Sequence, residues 1–240
     1  MDRPSLPTEE EQFEAYSTVA KAMGNKEVII RTLDIGGDKA VPYLEIPKED
    51  NPFLGYRAIR YCLDNPEIFK IQLRALLRAA YFGNIKIMLP LITDTEEVMS
   101  AKALISECEK ELEKEGALFK KNIPLGVMIE TPAAVLIADE LAKIADFFSI
   151  GTNDLTGYVM AVDRGNGKVS GLYSVQQPAV LKAIEMTVKS AKNAGIPVGM
   201  CGEAAADKEL IPKLAEWGLD EFSVTPNSIL RTRKEICECE

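Results

Sequence analysis

Glu130, Asp154, Arg31, Arg57, Arg164 and Cys201 are the residues of this chain whose types and settings suit them to chemistry. Each stands at or near the end of a short apolar run that reads as a strand. The richest stretch is Ser149-Ile150-Gly151-Thr152-Asn153-Asp154-Leu155, with Asp163-Arg164-Gly165-Asn166 following, so that Arg164 comes ten residues after Asp154. It comes straight after Ala145-Asp146-Phe147-Phe148, a buried strand aimed at a loop. A carboxylate and an arginine at a strand's C-terminal end suit a site that holds a divalent metal and a phosphorylated anion together. Glu130 lies 24 residues before Asp154, at the end of the preceding strand, which would bring the two carboxylates side by side. Mg2+ is held by carboxylates of this kind with substrate oxygens and waters. The alternative is that one of the pair caps the next helix.

Arg31, Arg57 and Arg164 stand at three separate strand ends. A guanidinium presents a planar fork matched to phosphate and carboxylate, and several buried side by side need an anion. Any one alone reads as a surface or salt-bridging residue; position gives the trio its weight. Asn153 adds an amide beside Asp154. Cys201, in Gly199-Met200-Cys201-Gly202-Glu203, ends a strand between glycines that let a ligand approach. A thiol with a pKa near its usual ~8.5 carries its proton at neutral pH and can act as a general acid. The alternative is a small buried hydrophobe. Cys237-Glu238-Cys239 offers a candidate metal pair and ranks last among these groups.

The chain has no histidine. That excludes a histidine base, a histidine-ligated zinc and every nucleophile paired with histidine, leaving carboxylates, arginines, lysines, tyrosines and cysteine. The 240 residues are 47% hydrophobic, enough for a sizeable core. A net charge of −9 argues against general nucleic-acid or anionic-membrane binding, so an anionic ligand must be held by a local arginine cluster. No apolar run reaches the ~20 residues of a membrane span and no signal-peptide pattern opens the chain. The five cysteines are odd in number and irregularly spaced, which suits reduced thiols in a cytoplasmic protein.

The elements that must position these residues alternate. Thr8 with Glu11 makes a capping box, and Phe13, Tyr16, Val19, Ala20 and Met23 recur at helical spacing until Gly24. Strands are expected over 28–34, ending in the turn Gly36-Gly37, and over 85–91, 125–130, 147–151, 197–201 and 221–224, with a further candidate at 53–57. Helices are expected from Pro66 to Gly83, from Thr93 (with Glu96) to near Gly116, and over 132–144, 178–195 and 208–217. Strands between helices of this length imply βαβ units and a parallel sheet. A doubly wound sheet and a (β/α)8 barrel both fit. The barrel is favoured because polar residues follow nearly every strand, and barrel enzymes build their sites from all the βα loops. With six clear strands, a barrel would be incomplete. No linker divides the chain, so residues 1–240 are expected to form a single domain.

Several runs resemble the phosphoenolpyruvate-binding C-terminal domain of enzyme I of the bacterial sugar phosphotransferase system. They are Leu6 to Phe13, Arg31-Thr32-Leu33-Asp34-Ile35-Gly36-Gly37-Asp38-Lys39, Asn51 to Arg60, Val127 to Ala134, the two segments around Asn153 and Arg164, and Gly199 to Glu203. Pyruvate phosphate dikinases and phosphoenolpyruvate synthases share the Gly-Thr-Asn-Asp and Cys-Gly-Glu elements, but the Arg31–Lys39 run points to enzyme I. The resemblance implies a TIM-type barrel of the phosphoenolpyruvate/pyruvate superfamily. It implies phosphoenolpyruvate with Mg2+, Glu130 and Asp154 as metal ligands, and Arg31, Arg57, Arg164 and Asn153 on the substrate's phosphate and carboxylate. A histidine on a separate N-terminal domain, outside this chain, would take the phosphoryl group and pass it to a phosphocarrier protein. Cys201 would protonate the enolate to pyruvate, and the full-length form would be a cytoplasmic homodimer.

Relative to the family's pattern, the first barrel strand with its Arg-Thr-Glu arginine and a last helical segment lie beyond this chain. Gly157, Gly171 and Ala206 replace a usual glutamine, a polar residue and a glycine. The chain alone would then be inactive. Rival expectations are a non-catalytic phosphoenolpyruvate-binding or dimerisation module, and a carbon–carbon lyase of the wider pyruvate barrel superfamily.

Overall fold

The computed structural model describes residues 5–36, 44 and 46–239. Gly37, Asp38 and Lys39, within the run quoted above and its expected turn, lie outside the described residues. The chain divides into two compact units, Met1–Leu91 with Glu96–Leu125, and Ile92–Thr95 with Gly126–Glu240.

The first unit holds α1 (Glu9–Met23), β1 (Glu27–Arg31), α2 (Ile59–Asp64), α3 (Pro66–Ala79), β2 (Asn84–Leu89) and nearly all of α4 (Thr95–Glu115). The expected capping box starts α1: Glu11 N–H donates to Thr8 Oγ1 at 3.3 Å and Thr8 N–H donates to Glu11 Oε2 at 2.9 Å. Gly24, at φ 57°, ends it. Helix α3 turns Phe69, Leu73, Leu76 and Leu77 inward. A Cβ on Gly83 would come within 2.6 Å of Ala20 O, so glycine permits α1 to pass this closely. Arg74 and Arg78 tie the helices together. Both bond Glu9 of α1 at 2.7 Å, and Arg74 also reaches Glu115 of α4 at 2.7 Å. Strands β1 and β2 run parallel, with Arg31 opposite Met88.

The second unit holds β3 (Leu125–Ile129) but for its first residue, α5 (Pro132–Leu136), α6 (Ala138–Leu141), β4 (Phe148–Gly151), α7 (Thr152–Met160), α8 (Pro178–Ala194), β5 (Val198–Cys201), α9 (Ile211–Trp217), β6 (Glu221–Ser223) and α10 (Ile229–Cys237). Strands β3 to β6 pair in chain order and all parallel: Ile129 faces Ile150, Gly151 faces Cys201, and Cys201 faces Ser223. Every residue of β3 and β4 is buried, as expected of parallel strands covered on both faces. Parallel pairing brings the C-terminal ends of these four strands together, and there stand Glu130, Gly151 and Cys201.

Six strands lie where the apolar runs placed them, but several expectations need correction. Residues 53–57 form no strand; Pro52–Leu54 is a 3-10 turn, since Pro52 has a fixed φ and no N–H to give a ladder. The helix expected over 132–144 is two short ones, broken at Ile137 (φ −109°, ψ 20°). The helix expected from Lys208 begins at Ile211, because Pro212 is tolerated in a first turn but not inside a helix. No loop follows β4; the chain passes directly into α7. Among the described residues, no helix is long and apolar enough to cross a membrane.

Candidate functional site

In the first unit, Arg31 at the end of β1 and Arg57, which ends no strand but precedes α2, meet on one carboxylate. Asp34 Oδ2 lies 3.2 Å from Arg31 Nη1, and Asp34 Oδ1 lies 2.9 Å from Arg57 Nη2. The Arg57 and Asp34 side chains are each 6% exposed and that of Arg31 42%, so Arg31 is the one open to solvent. The local backbone is shaped for this. Gly36 has φ +118°, and a Cβ there would fall 2.3 Å from Arg57 Cβ. Ala58, next to Arg57, is a buried non-glycine residue at φ 52°, held there by its N–H bond to Ile35 O at 3.1 Å. Such backbone strain persists only where surrounding structure enforces it. The Arg57 guanidinium also lies 5.8 Å from the centroid of the Phe53 ring. Cys62 donates to Leu33 O at 3.8 Å; burial, with the Asp34 charge second, pushes its thiol up to about 12. It is a structural, protonated thiol.

In the second unit, Glu130 directly follows β3 and is 2% exposed. Gly151, ending the neighbouring strand, makes room for it: a Cβ there would lie 2.6 Å from Glu130 Oε2. Helix α7 starts at once, with Asn153 and Asp154 in its first turn, where N–H groups and the helix dipole favour negative charge. The β5 end packs against this turn. Thr152 Oγ1 donates to Cys201 O at 3.0 Å, and the Cys201 thiol donates to Ile150 O at 3.6 Å. At Gly202, φ +100°, a Cβ would meet Thr152 Oγ1 at 2.5 Å.

Arg164 lies in the exposed turn after α7, where Gly165 N–H donates to Asp163 Oδ1 at 2.8 Å. Tyr173 reaches back to the first turn of that helix, its hydroxyl donating to Asn153 O at 2.7 Å. Burial raises the Tyr173 pKa, Arg164 draws it down, and the charges of Asp154 and Glu203 raise it again.

The structure thus gathers Glu130, Asn153, Asp154, Arg164 and Cys201 within the second unit and pairs Arg31 with Arg57 in the first. Sequence reasoning missed Asp34 and Tyr173 as partners of these residues. Asp34 sits three residues after Arg31, a spacing that could have flagged it. Tyr173 is twenty residues from Asn153 and has no local signal.

Among the described residues, no three His, Cys, Asp or Glu side chains converge as a metal cage. The donors at Glu130 and Asp154 are hard carboxylate oxygens, and Gly151 leaves the space that a Cβ would fill. That set fits Mg2+, which is satisfied by one or two carboxylates when phosphate oxygens and waters complete the shell. The Cys239 thiol, after α10, donates to Glu235 O at 3.0 Å.

The family model described as "PEP-utilising enzyme, PEP-binding domain" matches residues 1–240. A protein of Bacillus subtilis named phosphoenolpyruvate-protein phosphotransferase is 54% identical over 236 residues, 98% of this chain and 41% of that protein. The chain thus spans about two fifths of the length of such relatives. Among solved structures, a Haloferax volcanii malate synthase in a lead(II) complex matches 95% of this chain and 58% of its own, at TM-score 0.57 and 17% identity. A citrate lyase of Burkholderia xenovorans matches 70% of this chain and 53% of its own, at TM-score 0.53 and 20% identity. These likenesses carry the fold alone, the parallel β/α barrel class expected from the sequence.

Proposed function

The chain belongs to the PEP-utilising enzymes, through their PEP-binding domain, and on that premise we propose that residues 1–240 hold phosphoenolpyruvate with Mg2+ for phosphoryl transfer to a protein histidine, releasing pyruvate. One observation carries this reading: the family match runs the whole length of the chain, over strand ends that bear carboxylates and arginines. The name of the relatives supports the acceptor's being a protein. Because the chain has no histidine, the accepting group must lie outside it. Similarity to enzyme I supports a His-bearing domain, a phosphocarrier protein beyond it, and a cytoplasmic homodimer in the full-length form.

In this reading Arg31, Arg57, Arg164 and Asn153 bind the phosphate and carboxylate oxygens, and Glu130 and Asp154 hold Mg2+. The metal, when bound, offsets charge on the phosphoryl oxygens. Asp34 keeps two guanidinium groups close in the absence of substrate, so less side-chain entropy is lost when the anion binds. Phosphoryl transfer asks a protein mainly for positioning and charge, with little covalent work. The P–O bond of phosphoenolpyruvate breaks, a P–N bond to histidine forms, and the electron pair remains on the enolate. Cys201 then gives its thiol proton to the enolate carbon, and the thiolate is reprotonated from solvent.

Incubating the whole natural polypeptide with phosphoenolpyruvate and Mg2+ tests this. One equivalent of pyruvate and an acid-labile phosphohistidine should form. Cys201→Ala should slow pyruvate formation about 100-fold or more, the range of a lost general acid, while phosphorylation survives. No phosphoprotein and no pyruvate would reject the reading; an unchanged pyruvate rate in the variant would remove the acid role.

A further inference from the structure

We infer that Glu49 and Arg60 are positioning residues, which clamp the peptide between Gly55 and Tyr56 and so set the backbone that carries Arg57. This rests on the function proposed above and adds two residues to it. A peptide group has one donor and one acceptor, and here charged side chains engage both. The Tyr56 N–H donates to the Glu49 carboxylate, at 3.0 Å to Oε1 and 3.1 Å to Oε2. The Gly55 carbonyl accepts from Arg60 Nη1 at 3.0 Å, and the same nitrogen donates to Leu54 O at 3.0 Å. An anion therefore holds one end of the peptide dipole and a cation the other. Charge-assisted bonds of this kind are about twice as strong as neutral ones.

Arg57 has need of such a clamp. It lies in no strand, so no sheet ladder fixes its backbone, and it follows the 3-10 turn Pro52–Leu54. Glycine at 55 is part of the fit: a Cβ there would land on the Glu49 carboxylate, which packs directly against this residue. The Tyr56 side chain is held as well, its hydroxyl donating to Asp64 Oδ2 at 2.5 Å and accepting from Asn65 Nδ2 at 2.8 Å. On the far side of Arg57, the Ala58 N–H donates to Ile35 O at 3.1 Å. The backbone is thus fixed immediately before and immediately after the arginine. Glu49 and Arg60 are themselves half-buried and act here through Arg57. Setting a binding arginine before the anion arrives cuts the ordering cost of binding, so the clamp improves affinity.

The test is calorimetric titration of phosphoenolpyruvate with Mg2+ into the whole natural polypeptide. The proteins compared are wild type, Glu49→Ala, Glu49→Gln and Arg60→Met, with Glu49→Ala and Arg60→Met repeated in an Arg57→Lys background. Glu49→Ala and Arg60→Met should each bind about tenfold more weakly, the worth of one hydrogen bond to a charged group. Glu49→Gln should recover most of that loss, because an amide oxygen still accepts from the Tyr56 N–H. In the Arg57→Lys background both losses should shrink to about twofold or less, because coupled residues are not additive. Wild-type affinity in Glu49→Ala or in Arg60→Met would overturn the proposal, as would Glu49→Gln binding as weakly as Glu49→Ala. So would the full tenfold loss repeated beside Arg57→Lys, which marks an effect that does not run through Arg57. Should Glu49→Ala not fold, Arg60→Met in the two backgrounds makes the same comparison. Failure of the wild type to bind would instead reject the function itself, and this inference with it.

Discussion

Asp34 decides how the first unit presents its arginines. Two guanidinium groups meeting on one nearly buried carboxylate leave a net positive centre that an incoming phosphate can complete. Asp34→Asn should therefore destabilise the protein by about 3 kcal/mol, the low end of the cost of breaking a buried pair. Phosphoenolpyruvate should then raise the thermal midpoint more in the variant than in the wild type, since bound anion replaces the missing charge. An equal ligand-induced rise in both would show that Asp34 and the anion do not address the same arginines. At this scale the positions of Arg31, Glu130, Asp154 and Cys201 were legible in the sequence because each stands at or just past an apolar run that forms a strand, whereas the run before Arg57 forms a 3-10 turn instead. Asp34 and Tyr173 were not weighed, since their roles come from partners that folding brings to them. The pairing of Arg57 with Asp34 spans 23 residues, and Gly36 lets the backbone pass close against Arg57.

Among the elements, the strands were the easiest to read, because a parallel strand buried on both faces shows as an unbroken apolar run. The capping box at Thr8 was equally plain, being a local pattern of two side chains. Helix α7 was hidden, because Gly-Thr-Asn-Asp reads as a loop sequence and its amide and acid drew attention as ligands. The break at Ile137 has no proline or glycine to announce it. The β4–α7 junction is where element and site coincide, and it makes a sharp prediction. Gly151→Ala places a methyl group where Glu130 Oε2 lies 2.6 Å away, so the carboxylate must move. The dependence of substrate binding on Mg2+ should weaken by about tenfold or more, the effect of misorienting a ligand, with circular dichroism unchanged. Unaltered Mg2+ dependence would show that Gly151 does not set the position of Glu130.

For the molecule as a whole, a net charge of −9 means that anion binding works against the overall field, and only arranged arginines can reverse it locally. Ionisation also bounds the pH range of stability. Lys70 beside Glu111 and Arg74 beside Glu115 lower those carboxyls, so the folded state favours their ionised forms. That stabilisation is present above the ordinary carboxyl value of 4.5 and is lost as pH falls below it. Burial pushes the thiol of Cys62 from 9.0 up to about 12 and the phenol of Tyr56 from 10.0 to about 12. The unfolded chain then ionises first, and stability declines as pH rises from about 9 toward 12. Denaturant melts across pH should show both limbs, and Cys62→Ala should flatten the alkaline one; a variant with the same alkaline decline would assign it elsewhere.

The central claim is that these strand ends bind phosphoenolpyruvate with Mg2+, and calorimetric titration of the whole natural polypeptide tests it most directly. The account predicts binding that requires Mg2+. It predicts a loss of about 100-fold in Arg57→Lys, from the broken guanidinium fork, and loss of the Mg2+ requirement in Glu130→Gln and Asp154→Asn. Binding that ignores Mg2+ and is indifferent to all three substitutions would contradict it.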